Sequence, residues 1–451
     1  MEKVYAFLDN NKDNMVKMLS EWISIPSIVE QSDDAQMPYG KACADMMSKA
    51  IEDAKTLGFT LRNNHENQMV TIDLNDEEAK LGVACHLDVV EANPQHWSTD
   101  PWKAEVIDNR IYGRGASDNK GAGVAALFAL AAIKHAGKKG NIRLYFGSAE
   151  EIGSPCFRYY TDHYVKKEDL PPMIVPDADD IAYGEWGMLK AGIKGRFEQT
   201  GEKRLISISS GEAFNIIPGT ATAVICGVTD DEIAALKQRC NFAATREGDA
   251  VTIFVEGTSC HSSQPRLGDN AAIKLLNILT KLPFDGGVDE MLQGLKELYT
   301  QSSSYISENV NKDLLTFSLT GLYFENGELS TLHDSRYSYD ISGEQIRNEM
   351  QKKCSTMQCD VEFMLIKEPH YVDKNSDFVK KLSGIYEAFT NEKSRVIEMR
   401  ATTYASQTIN GVAFGQFEGE NIHSHNENIS VENLMKTAKL LALAMHEFLK
   451  D

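Results

Sequence analysis

The chain has 451 residues, 42% of them hydrophobic, and its 66 acidic residues exceed its 46 basic ones to give a formal net charge of −20. This length predicts two or more domains, and the acidic excess argues against nucleic acid as a partner. The first fifteen residues do not resemble a secretory signal, and the longest apolar run, 121–133, is shorter than the about 20 residues that cross a bilayer. We therefore expect a cytoplasmic protein without a membrane segment.

The first 180 or so residues alternate between helix-like and strand-like patterns. The predicted elements are a helix at 40–57, strands at 69–74 and 81–85, a helix at 120–136, and strands at 141–147 and 173–175. This alternation predicts an α/β sheet. Loops rich in acids or His follow the strands, and open α/β sheets bind their ligands just beyond strand ends.

From about Trp186 the pattern changes to extended runs interleaved with helices such as 270–282, which predicts an α+β domain. From about Val396 the earlier pattern returns, with a strand at 411–415 and a helix at 431–450. The predicted division is 1–185 and 396–451 for one domain, with 186–395 inserted into it. Residues 301–311, rich in Ser and Asn, are a predicted mobile loop.

His86 directly follows an apolar strand, and Asp88 stands two residues further on. The period of two along a strand aims both side chains the same way. Asp88 is therefore expected to hydrogen-bond the far nitrogen of His86 or to orient it, as carboxylates do for metal-bound imidazoles.

Asp118 follows a glycine-containing stretch, 113–117, that permits a tight backbone path ahead of a helix. Its two oxygens could bridge two cations. Residues 121–126 formally match a G-x-G-x-x-A dinucleotide fingerprint, but no strand immediately precedes them, so we interpret their small side chains as packing residues.

Further acids and imidazoles follow other strands. Glu150 and Glu151 form a pair in which one can bind metal while the other transfers protons. Asp177 comes just after an apolar strand, and His423 and His425 lie in a late loop. No single motif is specific, but two His and three carboxylates at strand ends match the ligands of Zn²⁺, Mn²⁺ or Co²⁺.

These stretches resemble the M20 family of metallopeptidases, in particular its bacterial dipeptidases of the PepV and Sapep type, over nearly the whole chain. The resemblance depends on the order and spacing of His86-Leu87-Asp88-Val89-Val90, Tyr112-Gly113-Arg114-Gly115 leading to Asp118, Glu150-Glu151-Ile152-Gly153-Ser154 and Pro176-Asp177-Ala178-Asp179. It implies a zinc-peptidase-like mixed sheet flanked by helices, with the α+β domain inserted as a lid.

The resemblance also implies a ligand set for two divalent cations. His86 and Asp177 would hold one cation, Glu151 and His423 the other, and Asp118 would bridge them. Zn²⁺ is the expected ion, with Mn²⁺ or Co²⁺ as alternatives. His423 takes the first place of the family pattern H-x-x-N-E, and His425 is the alternative.

The remaining roles are carried over in the same way. Glu150 would be the general base and Asp88 its supporting carboxylate beside His86. On the lid, His261 would stabilise the oxyanion. Asn215 would contact the substrate, and Arg336 would hold its free carboxylate through paired hydrogen bonds.

Two departures from the family pattern bear on function. Asn119 stands where relatives commonly have a second Asp, which reduces the local negative charge. At 400–406, a Gly-rich turn ending in T-Y-A-R is replaced by Arg400-Ala401-Thr402-Thr403-Tyr404-Ala405-Ser406. The altered turn bears on the choice of substrate.

The resulting hypothesis is metal-dependent hydrolysis of the amide bond of dipeptides, of the aminoacyl or Xaa-His type. The alternative within the family is a deacylase acting on N-acyl amino acids or diamines, and the alternative outside enzymes is an inactive peptide-binding scaffold. The expected partner is a short peptide, with no nucleic acid and no membrane. A monomer is favoured over a homodimer.

Overall fold

The computed structural model describes residues 1–211, 213–300, 314–415 and 417–450. The predicted mobile loop at 301–311 lies outside these ranges. None of the helices within them is both long enough and apolar enough to span a membrane.

The described residues form eleven α-helices and twenty strands. The helices are α1 (Glu2–Asn10), α2 (Lys12–Ile23), α3 (Lys41–Thr56), α4 (Lys120–His135), α5 (Pro155–His163), α6 (Asp230–Lys237), α7 (Ala271–Leu279), α8 (Val288–Thr300), α9 (Gly343–Thr356), α10 (Asp377–Thr390) and α11 (Val431–Phe448). The strands are β1 (Arg62–His65), β2 (Met69–Asp73), β3 (Ala79–His86), β4 (Glu105–Ile107), β5 (Arg110–Tyr112), β6 (Asn141–Gly147), β7 (Met173–Val175), β8 (Ile181–Glu185), β9 (Gly187–Arg196), β10 (Arg204–Ser210), β11 (Thr220–Cys226), β12 (Ala243–Glu247), β13 (Ala250–Glu256), β14 (Leu315–Glu325), β15 (Glu328–Tyr337), β16 (Asp360–Lys367), β17 (His370–Tyr371), β18 (Val396–Met399), β19 (Gly411–Ala413) and β20 (Asn428–Ser430).

The chain divides into two units. The first unit consists of 1–185 and 371–451, and the second unit consists of 186–370. The chain returns to the first unit at 371, earlier than the expected boundary at 396. The reason is that α10 buries Val379, Leu382 and Ile385 in the hydrophobic core of the first unit.

The first unit is built on a mixed sheet with the strand order β1-β2-β6-β3-β7-β19-β8, in which β18 lies beside β8. Strands β6, β3, β7 and β19 are mutually parallel where they pair. β3 and β6 consist mainly of buried residues, as is typical of strands covered on both faces. Because these strands are parallel, their carboxyl ends meet at one edge of the sheet. The predicted α/β fold is confirmed.

Helix α4 forms the centre of this unit's core. All of its residues from Lys120 to Ile133 are buried, and it packs against α11, α1 and α2. The glycines of the 121–126 stretch allow this close packing: a Cβ on Gly121 would lie 2.2 Å from the backbone oxygen of Ala116. This stretch is therefore a packing surface inside a helix, as the sequence indicates.

The second unit is an antiparallel sheet covered by helices. Its strands run in the order β12-β13-β11-β10-β14-β15-β9-β16, and each neighbouring pair is antiparallel. Helices α7, α8 and α9 pack against this sheet, and together they form a core separate from that of the first unit. An α+β architecture follows.

Candidate metal centre

Three neighbouring parallel strands bring candidate ligands to one edge of the sheet. His86 is the last residue of β3, Glu151 follows β6 by four residues, and Asp177 follows β7 by two. Since β3 lies between β6 and β7, their carboxyl ends are adjacent. Sheet topology alone therefore gathers groups that are 91 residues apart along the chain, from position 86 to position 177.

Asp118 joins two clusters of possible ligands. Its Oδ1 lies 2.8 Å from His86 Nε2, and its Oδ2 lies 2.9 Å from His423 Nε2. His423 Nε2 is also 2.9 Å from Glu151 Oε1, while His86 Nε2 is 3.9 Å from Asp177 Oδ2. One cluster consists of His86, Asp118 and Asp177, and the other consists of Asp118, Glu151 and His423. In each cluster the possible ligand atoms lie within 4.8 Å of one another. One carboxylate thus directs one oxygen towards each cluster.

The donor chemistry of these clusters fits divalent cations. The five residues offer imidazole nitrogen and carboxylate oxygen, which suit Zn²⁺, Mn²⁺ and Co²⁺. All five predicted ligands are brought together. Each of the two clusters, both of which include Asp118, could hold a metal ion.

Burial and crowding shift the proton affinity of these groups. Burial raises the pKa of Asp177 to about 8, and the negative charge of Asp118 adds to this effect. Hydrogen bonds with Asp118 and Glu151 raise the pKa of His423 to about 11. Buried carboxylates at this density need positive charge nearby. A divalent cation would supply that charge and displace the protons.

The Glu150 carboxyl is buried beside this cluster. Burial raises its pKa well above the usual range, and the nearby negative charge of Glu151 adds to the effect. A carboxylate with raised proton affinity is suited to accept and return a proton. This environment is compatible with the predicted role of Glu150 as general base.

Asp88 differs in detail from the sequence-based expectation. The far nitrogen of His86, Nδ1, lies 3.0 Å from the backbone oxygen of Asp88 and 3.5 Å from its carboxylate. The carboxylate instead accepts the backbone N–H groups of Glu150, at 2.9 Å, and Glu151, at 3.0 Å. Asp88 therefore orients the histidine through its main chain and fixes the turn of the acidic pair through its side chain.

Asn119 has a role that the sequence did not reveal. Its Nδ2 donates to the backbone oxygen of Pro176 at 2.8 Å and to Asp177 Oδ1 at 3.0 Å. Asp at this position could not donate either hydrogen bond when ionised. In the sequence, the one indication of this role was that Asn stands where the family commonly has Asp. The Asn119 side chain orients the Asp177 carboxylate.

The loop that carries His423 has an unusual backbone. His423 has φ of 57°, in the left-handed region that non-glycine residues seldom adopt. Ser98 holds the loop from outside, since its N–H and hydroxyl both donate to Asn426 Oδ1, at 2.7 and 2.8 Å. Within the described residues, His425 is exposed and belongs to neither ligand cluster. The geometry favours His423 over His425.

The predicted substrate-contacting residues all lie in the second unit and are linked to one another. The backbone oxygen of Asn215 accepts the N–H of Ser262, and the Ser262 hydroxyl donates to Asp334 Oδ2. The same Asp334 oxygen accepts Arg336 Nε at 3.3 Å. The loop after β13 and the end of β15 are therefore joined by one buried carboxylate.

His261 lies on that loop with a defined tautomer. The N–H of Ser263 donates to His261 Nδ1 at 3.2 Å, so in the neutral ring the proton lies on Nε2. A neutral imidazole with Nε2–H is a hydrogen-bond donor. This form suits stabilisation of a developing negative charge.

The altered turn at 400–406 is held firmly within the first unit. The buried Glu185 carboxylate accepts the N–H of Thr403 at 2.9 Å and also its hydroxyl. The ring of Tyr404 lies edge-on to that of His86 with 6.4 Å between centroids. The turn therefore contributes a buried wall beside the cluster of His86, Asp118 and Asp177. Ser406, where the pattern has Arg, donates its hydroxyl to the backbone oxygen of Thr403 at 2.8 Å.

An α/β sheet that carries imidazoles and carboxylates at one edge defines a candidate metallohydrolase. The model of peptidase family M20/M25/M40 matches residues 82–447. The chain belongs to this peptidase family, which confirms the prediction of an M20 metallopeptidase.

Individual relatives extend over the whole length. Beta-Ala-Xaa dipeptidase of Lactobacillus delbrueckii subsp. lactis is 29% identical over 465 residues, covering 98% of this chain and 97% of that protein. YtjP of Bacillus subtilis (strain 168) is 28% identical over 462 residues, covering 97% and 98%. The crystal structure of human carnosine dipeptidase 1 covers 100% of this chain and 99% of its own, with a TM-score of 0.62 at 17% identity. This last similarity shows a shared fold.

Proposed function

We propose that this chain is a dipeptidase that hydrolyses the amide bond of short peptides with the help of two divalent cations. The observation that carries the proposal is the division of the Asp118 carboxylate between two clusters, one with His86 and Asp177 and one with Glu151 and His423. The name of the Lactobacillus relative, Beta-Ala-Xaa dipeptidase, supports a dipeptide as substrate.

The cations would lower the pKa of a water molecule and polarise the scissile carbonyl. Glu150 would take the proton from the attacking water, because its buried carboxylate has a raised pKa. The same carboxyl would then give the proton to the leaving nitrogen as the C–N bond breaks. Glu150 would thus end each reaction cycle in the same protonation state in which it began.

The hydrogen bonds at Asp88 support this role of Glu150. Two main-chain N–H groups bound to one buried carboxylate fix the turn of the acidic pair, so Glu150 and Glu151 keep separate directions. Catalytic groups must be held to within a fraction of an ångström for efficient reaction. Asp88 would therefore act by positioning.

In the second unit, we assign His261 to the oxyanion and Arg336 and Asn215 to the substrate. The Nε2–H tautomer of His261 provides a donor for negative charge. Arg336 is held by Asp334 through its Nε, and its planar guanidinium suits a carboxylate such as the free C-terminus of a peptide. The substrate would then need a free C-terminal carboxylate. The cytoplasmic location and the monomeric state stay predictions.

The test is turnover by metal-stripped protein after addition of Zn²⁺, Mn²⁺ or Co²⁺. A panel should contain dipeptides with β-Ala or α-amino acids first and with His or other residues second, together with tripeptides and N-acyl amino acids. We expect cation-dependent cleavage of dipeptides that is lost in Glu150→Gln. Cleavage of N-acyl substrates alone would replace the dipeptidase by a deacylase, and binding of peptides without turnover would identify a scaffold.

A further inference from the structure

The side chain of Glu427 is fully buried, with 0% of its surface exposed, and it ends a loop that carries a candidate ligand. Four hydrogen bonds reach its carboxylate. Oε2 accepts Arg114 Nη1 at 2.7 Å and the N–H of Gly115 at 3.2 Å, and Oε1 accepts the N–H groups of Ser117 at 2.9 Å and Asp118 at 3.0 Å. A buried carboxylate is stable only with this degree of compensation.

Three of these four donors belong to the main chain of one loop. Gly115, Ser117 and Asp118 form the path that leads from β5 to α4, and this path presents the Asp118 side chain. Gly115 has φ of 85°, a left-handed conformation that favours glycine. Glu427 thus fixes a turn whose backbone cannot pair within a helix or a strand.

Glu427 is also tied to the loop that carries His423. Its backbone oxygen accepts the N–H of Gly113 at 3.0 Å. The next residue, Asn428, pairs with Glu420 across the base of the loop, through bonds of 2.8 and 3.1 Å, and pairs with Tyr112 of β5. The 421–427 loop and the 113–118 loop are therefore joined at Glu427.

We propose that Glu427 is a positioning residue for the cation shared by Asp118, Glu151 and His423. This inference rests on the proposed function, because it assumes that these residues bind a cation. Asp118 and His423 lie on the two loops that Glu427 joins, so its four hydrogen bonds set the distance between them. Groups that orient metal ligands typically change metal affinity by about 10–100-fold when they are removed.

The variant Glu427→Gln keeps the shape of the side chain but replaces one of its two acceptor oxygens by a donor. An amide has one oxygen and one NH₂ group, so two of the four donors would then face another donor. We expect the 113–118 backbone to loosen. Titration of metal-stripped protein with Zn²⁺ or Mn²⁺ by calorimetry should show one binding step weakened by about 10–100-fold, and faster hydrogen–deuterium exchange is expected in peptides covering 113–119.

Asp73→Asn is the matched control. Asp73 is likewise a buried carboxylate that accepts an arginine, Arg143 Nε at 2.8 Å, and an amide, Asn141 Nδ2 at 2.8 Å, but it lies at the far end of the β2–β6 pair from Gly147. This variant should lose stability while keeping the cation affinity of the natural chain. Excess cation should restore turnover in Glu427→Gln, because the catalytic groups remain.

The outcomes separate this inference from the proposed function. If the natural chain binds no cation, the proposed function fails. If it binds cations and Glu427→Gln binds them within twofold of the same affinity, the positioning role is wrong. Should Glu427→Gln not fold, Arg114→Lys keeps the positive charge but removes the guanidinium donor to Oε2; a severalfold loss of cation affinity is expected, and an unchanged affinity would overturn the inference.

Discussion

Asp88 Oδ1 accepts the backbone N–H of Glu150 at 2.9 Å, and both residues are buried. The other oxygen of Asp88 accepts the N–H of Glu151. In Asp88→Asn, one of these N–H groups would face an amide NH₂ instead of an acceptor. A buried donor without an acceptor costs about 1–3 kcal/mol, so we expect a loss of stability in urea unfolding.

The same variant should lower kcat and change KM little, because the turn that carries Glu150 would shift while Asn215 and Arg336, the residues proposed to bind substrate, are unaltered. Steady-state kinetics at saturating cation measure this. A rise in KM with unchanged kcat would contradict the role given to Asp88.

Glu150→Gln separates proton transfer from cation binding. The amide has nearly the same shape but cannot accept and return a proton. Because general acid–base catalysis contributes about 10²–10⁴-fold, kcat should fall by a factor in that range. Calorimetric titration should give cation affinities within a few-fold of the natural chain. Glu151→Gln is the companion variant, and it should lose cation affinity as well as turnover.

His423→Ala and His425→Ala test which imidazole is the ligand. His423 Nε2 lies 2.9 Å from both Asp118 and Glu151, whereas His425, within the described residues, belongs to neither ligand cluster. We expect His423→Ala to raise the cation concentration needed for half-maximal activity by at least about tenfold. His425→Ala should behave like the natural chain. The reverse pattern would assign the site to His425.

Gly147→Ala tests the packing of the turn beside His86. A Cβ at this position would lie 1.9 Å from Tyr404 Oη, a distance that requires the ring to move. Overpacking of this kind costs about 1–3 kcal/mol, and the displaced ring would disturb the wall beside His86. Gly384→Ala in α10 is the control, since beyond its chain neighbours and the backbone of its own helix turns no atom lies within 4 Å of the added Cβ. The control should retain or gain stability in thermal unfolding.

His333 makes stability depend on pH. Burial lowers the pKa of His333 to about 3, so the unfolded state binds more protons than the folded state between that value and about 6.5. Stability is therefore lost as pH falls below about 6.5, by about 1.4 kcal/mol per pH unit. His333→Gln removes this effect. From pH 7 to pH 5, the free energy of unfolding of the natural chain should fall by about 2 kcal/mol relative to that of His333→Gln. Urea unfolding at both pH values measures this change.

The sequence predicted that His86, Glu151 and Asp177 lie near one another, because each stands at the end of an apolar strand and the carboxyl ends of neighbouring parallel strands meet at one edge of a sheet. Their roles as ligands came from the resemblance to the M20 motifs and stay predictions. The hydrogen bonds that hold the candidate ligands and Glu150 in place were harder to predict from the sequence. Asp88 binds main-chain N–H groups, and every residue except proline carries such a group, so no residue type marks the partner.

Two other features illustrate the same limit. Glu427 stood in the H-x-x-N-E pattern, but its four donors lie more than 300 residues earlier in the chain. The chain returns to the first unit at 371, whereas the sequence led us to expect this at 396. The difference arises because α10 has an ordinary amphipathic pattern, and such a pattern does not indicate which core will bury the helix.

The position of β19 in the sheet has a consequence for folding during synthesis. β19 lies between β7 and β8, yet it is translated after the whole second unit. Domains generally fold as they leave the ribosome, so 186–370 can fold while the sheet of the first unit still lacks an interior strand. His423 is translated later still. A nascent chain therefore cannot assemble its complete set of candidate ligands, and we expect it to stay without peptidase activity until its last loop has been made.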